Sequence, residues 1–129
     1  MKSVLTNTAL LLLTCIALAQ ANDPKKSKEY FNKGQQLFAG ANYQEAIEAY
    51  TNAIKEDSTN SNAWIRRGFT RGIIKDFEGE MADYSFVIEV EPKHKWAYIS
   101  RGSARNRLGD YTNALKDFNK ALQIDPKRT

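Results

Sequence analysis

The sequence predicts an all-α chain, three helix-turn-helix hairpins in tandem behind a short apolar leader. Three observations carry this reading. Residue types recur at a fixed step of 34 positions: Gly34, Gly68 and Gly102; Tyr30, Trp64 and Tyr98; Tyr43, Phe77 and Tyr111; Tyr50, Tyr84 and Phe118; Ala53, Val87 and Ala121. Within a unit the apolar residues fall at helical spacing, so Tyr111, Ala114, Leu115, Phe118, Ala121 and Leu122 line one face of a helix. Helix punctuation repeats at the same step, with Asn42, Asp76 and Asp110 as N-cap candidates and Ser58, Pro92 and Pro126 in the closing turns.

The clearest unit is Trp96 to Pro126, with an aromatic, Gly102, Tyr111, Ala114, Phe118, Ala121 and Pro126 in order. It resembles a tetratricopeptide repeat (TPR), and the resemblance extends in register over about residues 27–126. It implies a right-handed α-solenoid whose concave face is lined by the first helix of each hairpin.

In chain order, Met1-Lys2 and the apolar run Ala9–Ala19 come first, followed by Ala19-Gln20-Ala21, a small-x-small site. The run is shorter than the ~20 residues a bilayer-spanning helix needs. Residues 1–21 therefore read as a secretory signal peptide cleaved after Ala21, with an uncleaved anchor as the alternative. A lipidated form would use Cys15, but Leu13-Thr14 fits a lipobox poorly. Cys15 is the only cysteine and leaves with the leader, so the mature chain has neither a disulfide nor a thiol nucleophile. Loss of Lys2 takes the formal charge from +4 to +3, which is no nucleic-acid signature. Residues 22–26 read as a short polar lead-in that frays, with Lys25 and Lys26 solvated beside Lys28.

The repeat domain then covers residues 27–129, in units of about 27–60, 61–94 and 95–128. In the first, Asn42 and Glu45 have capping-box spacing. The second departs from the family pattern, with Glu80 where its neighbours have Ala46 and Ala114. Burying that carboxylate alone would cost several kcal/mol, so the helix must rotate or a cation must meet it, with Gly79 relieving the crowding. Repeats two and three also share Arg67 with Asp83 and Arg101 with Asp117, where repeat one has Lys33 and Ala49. Each pair is expected to tie the two helices of its hairpin, worth about 0.2–1 kcal/mol if partly exposed.

No catalytic constellation is visible. His94 is the sole histidine, in a turn where a solvated role is expected, and Asp76-Phe77-Glu78-Gly79 does not match a calcium loop. The acidic Asp76, Glu78, Glu80 and Asp83 are expected to favour a helix N-terminus. The sequence carries no phosphate loop or nucleophile motif. The expectation is a non-enzyme with no cofactor, no metal, no nucleic-acid partner and no stable membrane span.

The resemblance places the binding surface on the first helices. Phe31, Gln35 and Phe38 in repeat one, Asn62, Ile65 and Phe69 in repeat two, and Trp96, Ile99, Ser103 and Asn106 in repeat three are the peptide- or partner-binding candidates, with Lys28 and Ile73 beside them. The family's carboxylate clamp uses Lys and Asn, then Asn, then Lys and Arg in the three repeats, where this chain has Phe31 and Gln35, Arg66, and Trp96 and Ser100. An apolar peptide or amphipathic helix is the expected ligand instead, although several of these aromatics could pack between repeats. Phe69 and Trp96 are the expected exposed anchors.

The sequence has no polar capping helix after repeat three, so the second helix around Leu115, Leu122 and Ile124 is expected to be exposed and to favour self-association or docking, with Lys116, Lys120 and Lys127 as solubilising neighbours. The combined expectation is an exported protein-interaction adaptor, periplasmic or secreted. The RG…GDY…DF…DP style of the repeats points to a bacterial envelope. The alternative is a structural or self-associating subunit.

Overall fold

The computed structural model of the chain describes residues 22–127. The expected signal peptide, with Cys15 and the cleavage site after Ala21, lies outside the described residues. Among the described residues six helices follow one another: α1 Pro24–Ala39, α2 Tyr43–Glu56, α3 Ser61–Ile73, α4 Phe77–Val90, α5 Lys95–Arg107 and α6 Tyr111–Ile124. Each packs on its neighbours in sequence, and α3 also touches α5, which is the layout of an α-solenoid of three hairpins.

The same turn closes every hairpin. Asn42, Asp76 and Asp110 each donate their backbone N–H to a carbonyl five residues back, those of Leu37, Arg71 and Arg105. This turn needs one left-handed residue just before the donor. Ala41 (φ 59°), Lys75 (φ 67°) and Gly109 (φ 84°) supply it, so only the third hairpin has the glycine that such a φ favours.

Capping differs from the sequence expectation. Asp76 caps α4 by accepting from the Gly79 N–H at 3.0 Å. Asn42 and Asp110 hold the equivalent positions without a side-chain capping bond, so the Asn42–Glu45 capping box does not form. Asp110 is instead held by the Asn113 amide. His94, expected to be solvated, is the N-cap of α5, where Nδ1 accepts from the Ala97 N–H at 3.2 Å. It does for α5 what Asn60 does for α3. At the start, Asp23 accepts from the Lys26 N–H at 3.0 Å and Pro24 begins α1, so Lys25 and Lys26 are helical rather than a frayed lead-in. Lys26 also reaches Glu56 at 3.5 Å.

The core is made of small residues facing aromatic ones. An added Cβ at Gly34 would lie 2.5 Å from the Tyr50 ring, at Gly68 2.9 Å from Tyr84, and at Gly102 2.8 Å from Phe118. The period-34 glycines are thus the holes that receive the period-34 aromatics of the second helices. Gly34→Ala is expected to lower stability by about 1–3 kcal/mol, because Tyr50 is fully buried and has nowhere to move. Chemical denaturation of the variant checks this; an unchanged midpoint would contradict the contact.

Arg67 and Asp83 meet as expected, with Nε to Oδ2 at 3.0 Å and Nη2 to Oδ1 at 2.8 Å. Arg101 and Asp117 repeat the geometry at 3.0 and 2.8 Å. Both aspartates are buried, so the condition of partial exposure, under which such a pair is worth little, does not hold here. Each also receives a second arginine from one helical turn further on: Arg71 to Asp83 at 3.1 Å and Arg105 to Asp117 at 2.9 Å. The first arginine of each set also crosses between repeats, Arg67 to the Thr51 hydroxyl at 3.2 Å and Arg101 to that of Ser85 at 3.4 Å.

Glu80 is buried and does find a cation, Arg107, which arrives from the next repeat; the Tyr84 hydroxyl donates to its other oxygen at 3.3 Å. Room for it comes from Gly72, where an added Cβ would lie 2.5 Å from the carboxyl carbon, and not from Gly79. The expected acidic cluster at the start of α4 is therefore divided. Asp76 caps the helix and Glu78 is exposed, while Glu80 and Asp83 turn inward to arginines.

Candidate functional site

The first helices α1 and α3 meet on one face through Gln35, Arg66, Phe38 and Phe69. The Gln35 side-chain oxygen accepts from Arg66 Nε at 2.8 Å and from the Tyr50 hydroxyl at 2.6 Å. Burial raises the Tyr50 pKa, and the nearby Arg66 only partly offsets this. Tyr50 thus stays a neutral donor that fixes Gln35, and Gln35 in turn fixes the plane of the Arg66 guanidinium.

That guanidinium lies over two rings, 4.8 Å from the centroid of Phe38 and 5.8 Å from that of Phe69. The rings themselves are 5.9 Å apart, and Phe38 also packs edge-on against Tyr43 at 5.5 Å. A cation held over two aromatic rings is a favourable arrangement, each such contact contributing about 0.5–1 kcal/mol where exposed. The outcome is a shelf with a fixed donor at one end and the half-exposed Phe69 (45 %) at the other.

The ten candidates from the sequence divide in the structure. Phe31 is drawn inward against Tyr50 at 5.8 Å and joins the cluster around Ala53, Ile54 and Ala63, so it serves packing. Gln35, Phe38 and Phe69 come together with Arg66 in the shelf. Ile65 and Ile99 are half-buried, while Asn62, Ser103 and Asn106 stand exposed on α3 and α5. Trp96 is 55 % exposed, with the Lys95 ammonium 5.7 Å from its ring. Ile73, beside the set, is exposed as well. Trp64, an equally large aromatic, is not available. It stacks on Phe86 at 4.0 Å, and the Arg67 guanidinium covers it at 4.9 Å.

Arg66 as the centre of this shelf is what the sequence reading missed. A signal existed in the spacing, since Arg66 lies three residues before Phe69 and so on the same helical face. Nothing in the sequence placed Phe38 of the preceding repeat under the same cation. Among the described residues no group of three His, Cys, Asp or Glu could hold a metal ion, and no helix is long and apolar enough to cross a membrane.

Residues 96–128 match the family model described as the tetratricopeptide repeat. No curated protein matches the sequence. Solved structures do. The first TPR of Spaghetti (RPAP3), bound to the HSP90 peptide SRMEEVD, superposes with a TM-score of 0.77 at 27 % identity, over 83 % of this chain and 85 % of that one. The TPR2AB domain of yeast Sti1, in a complex with pHSP90, gives 0.83 at 26 % identity over 95 % of this chain and 47 % of that one. The Arabidopsis OM64 TPR domain gives 0.74 at 27 % identity, over 82 % and 88 %.

Proposed function

We propose that this chain, a tetratricopeptide repeat protein, is an exported protein-interaction adaptor that holds a peptide or helix of a partner along its first helices. The observation that carries the reading is the shelf of Phe38, Arg66 and Phe69, with Trp96 exposed on α5 as a further large apolar side chain. Large apolar side chains cost free energy in water, and a rigid set of them beside an oriented donor is the composition of an interface centre. Similar TPR domains bind peptides, as the first and second TPRs of Spaghetti do.

The ligand differs from theirs in chemistry. The positions that would hold a carboxylate clamp are Phe31, Gln35, Arg66, Trp96 and Ser100, which offer one cation amid aromatic surface. An apolar segment or amphipathic helix, with at most one acidic group for Arg66, fits that surface better than an acidic terminus does. The fold is that of an interaction scaffold, and the proposed role needs no turnover, cofactor or metal. Export to a bacterial envelope rests on the leader and the style of the repeats.

Selection of a random peptide library on the purified chain tests the site. Enriched peptides are expected to be rich in apolar residues and to bind Phe69→Ala at least about tenfold more weakly, the loss of an interface anchor. Equal binding to Phe69→Ala and Arg66→Ala by every selected peptide would remove the shelf from the binding surface.

A further inference from the structure

The second helices carry one face three times, and for two of them the chain itself shows what covers it. On α2 this face is Ile47, Thr51 and Ile54; on α4 it is Met81, Ser85 and Ile88; on α6 it is Leu115, Asn119 and Leu122. Ile47 and Ile54 are buried, and Met81 and Ile88 are half-buried, whereas Leu115 and Leu122 are 61 % and 55 % exposed.

The covering elements are α3 and α5, and they share a signature. Ala63, Arg67 and Thr70 on α3 correspond to Ala97, Arg101 and Ala104 on α5. The small residues are completely buried, and Ala63 packs with Ala53 and Ile54, so no larger side chain fits there. The arginine between them donates to the hydroxyl at the centre of the covered face, Arg67 to Thr51 and Arg101 to Ser85. On α6 the equivalent of those hydroxyls is the exposed Asn119, whose side-chain oxygen can accept in the same way.

We propose that the face of α6 formed by Leu115, Asn119 and Leu122 docks a partner helix carrying a small residue, an arginine four positions later and a second small residue three beyond that. This site is separate from the Phe38–Arg66–Phe69 shelf and does not depend on it. The occupant is not a second copy of this chain. Among the described residues the only first helix that a copy could offer is α1, because α3 and α5 are already engaged. At the signature positions α1 has Glu29, Lys33 and Gln36. Glu29 would place a carboxylate where Ala63 and Ala97 have no solvent contact, with apolar surface opposite.

The probe is a stapled helical peptide copying residues 95–108, which carries the Ala97, Arg101 and Ala104 signature, titrated into the full chain and followed by amide NMR shifts. Saturable shifts centred on Leu115, Asn119 and Leu122 are expected. Affinity should fall at least tenfold for Leu122→Glu, and equally for a peptide with Glu and Gln at its two small positions, the residues that α1 has. Absence of shifts on α6, shifts confined to α3 or α4, or equal binding of the Glu/Gln peptide would each overturn the assignment. Self-association of the free chain that Leu122→Glu abolishes would also overturn it, since a second copy would then be the occupant.

Discussion

Asp83→Ala is expected to lower the unfolding free energy by about 3–5 kcal/mol, the cost of removing one partner from a buried ion pair. The carboxylate is 1 % exposed and accepts from both Arg67 and Arg71. Without it two guanidinium groups face each other: Arg67, wedged between Trp64 and Thr51, loses its carboxylate partner, and Arg71 keeps only the more exposed Asp76 at 3.7 Å. Repeat one shows how the fold does without the set, having Lys33, Leu37 and Ala49 at the three positions. The triple variant Arg67→Lys, Arg71→Leu, Asp83→Ala imports that solution and should recover at least half of the loss. Urea unfolding of the single and triple variants checks both statements. No recovery would mean that stranded charge is not what the single variant suffers from.

The second large effect lies at Glu80 and includes a change of sign. Glu80→Ala leaves the buried Tyr84 hydroxyl without its acceptor, which should cost about 1–3 kcal/mol. Adding Tyr84→Phe reproduces the Ala114 and Phe118 combination of repeat three and should return most of it. Gly72→Ala alone is expected to destabilise, because its Cβ would collide with the Glu80 carboxyl group. In the Glu80→Ala background that obstacle is gone, and the same substitution should stabilise by up to about 1 kcal/mol through helix propensity. Thermal unfolding of the four combinations reads this out, and a Gly72→Ala effect of the same sign in both backgrounds would contradict the packing.

The period-34 pattern made the hairpins legible because local and tertiary requirements coincide in it. Gly34, Gly68 and Gly102 are holes, the aromatics at 50, 84 and 118 fill them, and both recur with the helices. The Arg–Asp pairs were legible for the same reason, since both partners repeat. Their burial and the second arginines were not, because a sequence gives spacing within a helix but not the depth at which a side chain ends. Glu80 marks the other limit. Its position announced a conflict, yet the resolution used Gly72 and Arg107, one on the facing helix and one 27 residues away in the next repeat. His94 reads as a solvated turn residue until the α5 backbone places an N–H against Nδ1. At the candidate site the aromatic residues were visible one by one, and what the sequence could not supply was that Phe38 and Phe69 share Arg66.

The adaptor reading is tested most directly by in-cell photo-crosslinking from position 69, with position 122 as a second, independent probe. A discrete heavier adduct from position 69, lost when Arg66 and Trp96 are both replaced by alanine, is the predicted result, and mass spectrometry of the adduct identifies the partner. Adducts from position 122 with none from position 69 would contradict it, because the partner surface would then be the end of the solenoid and not its first helices.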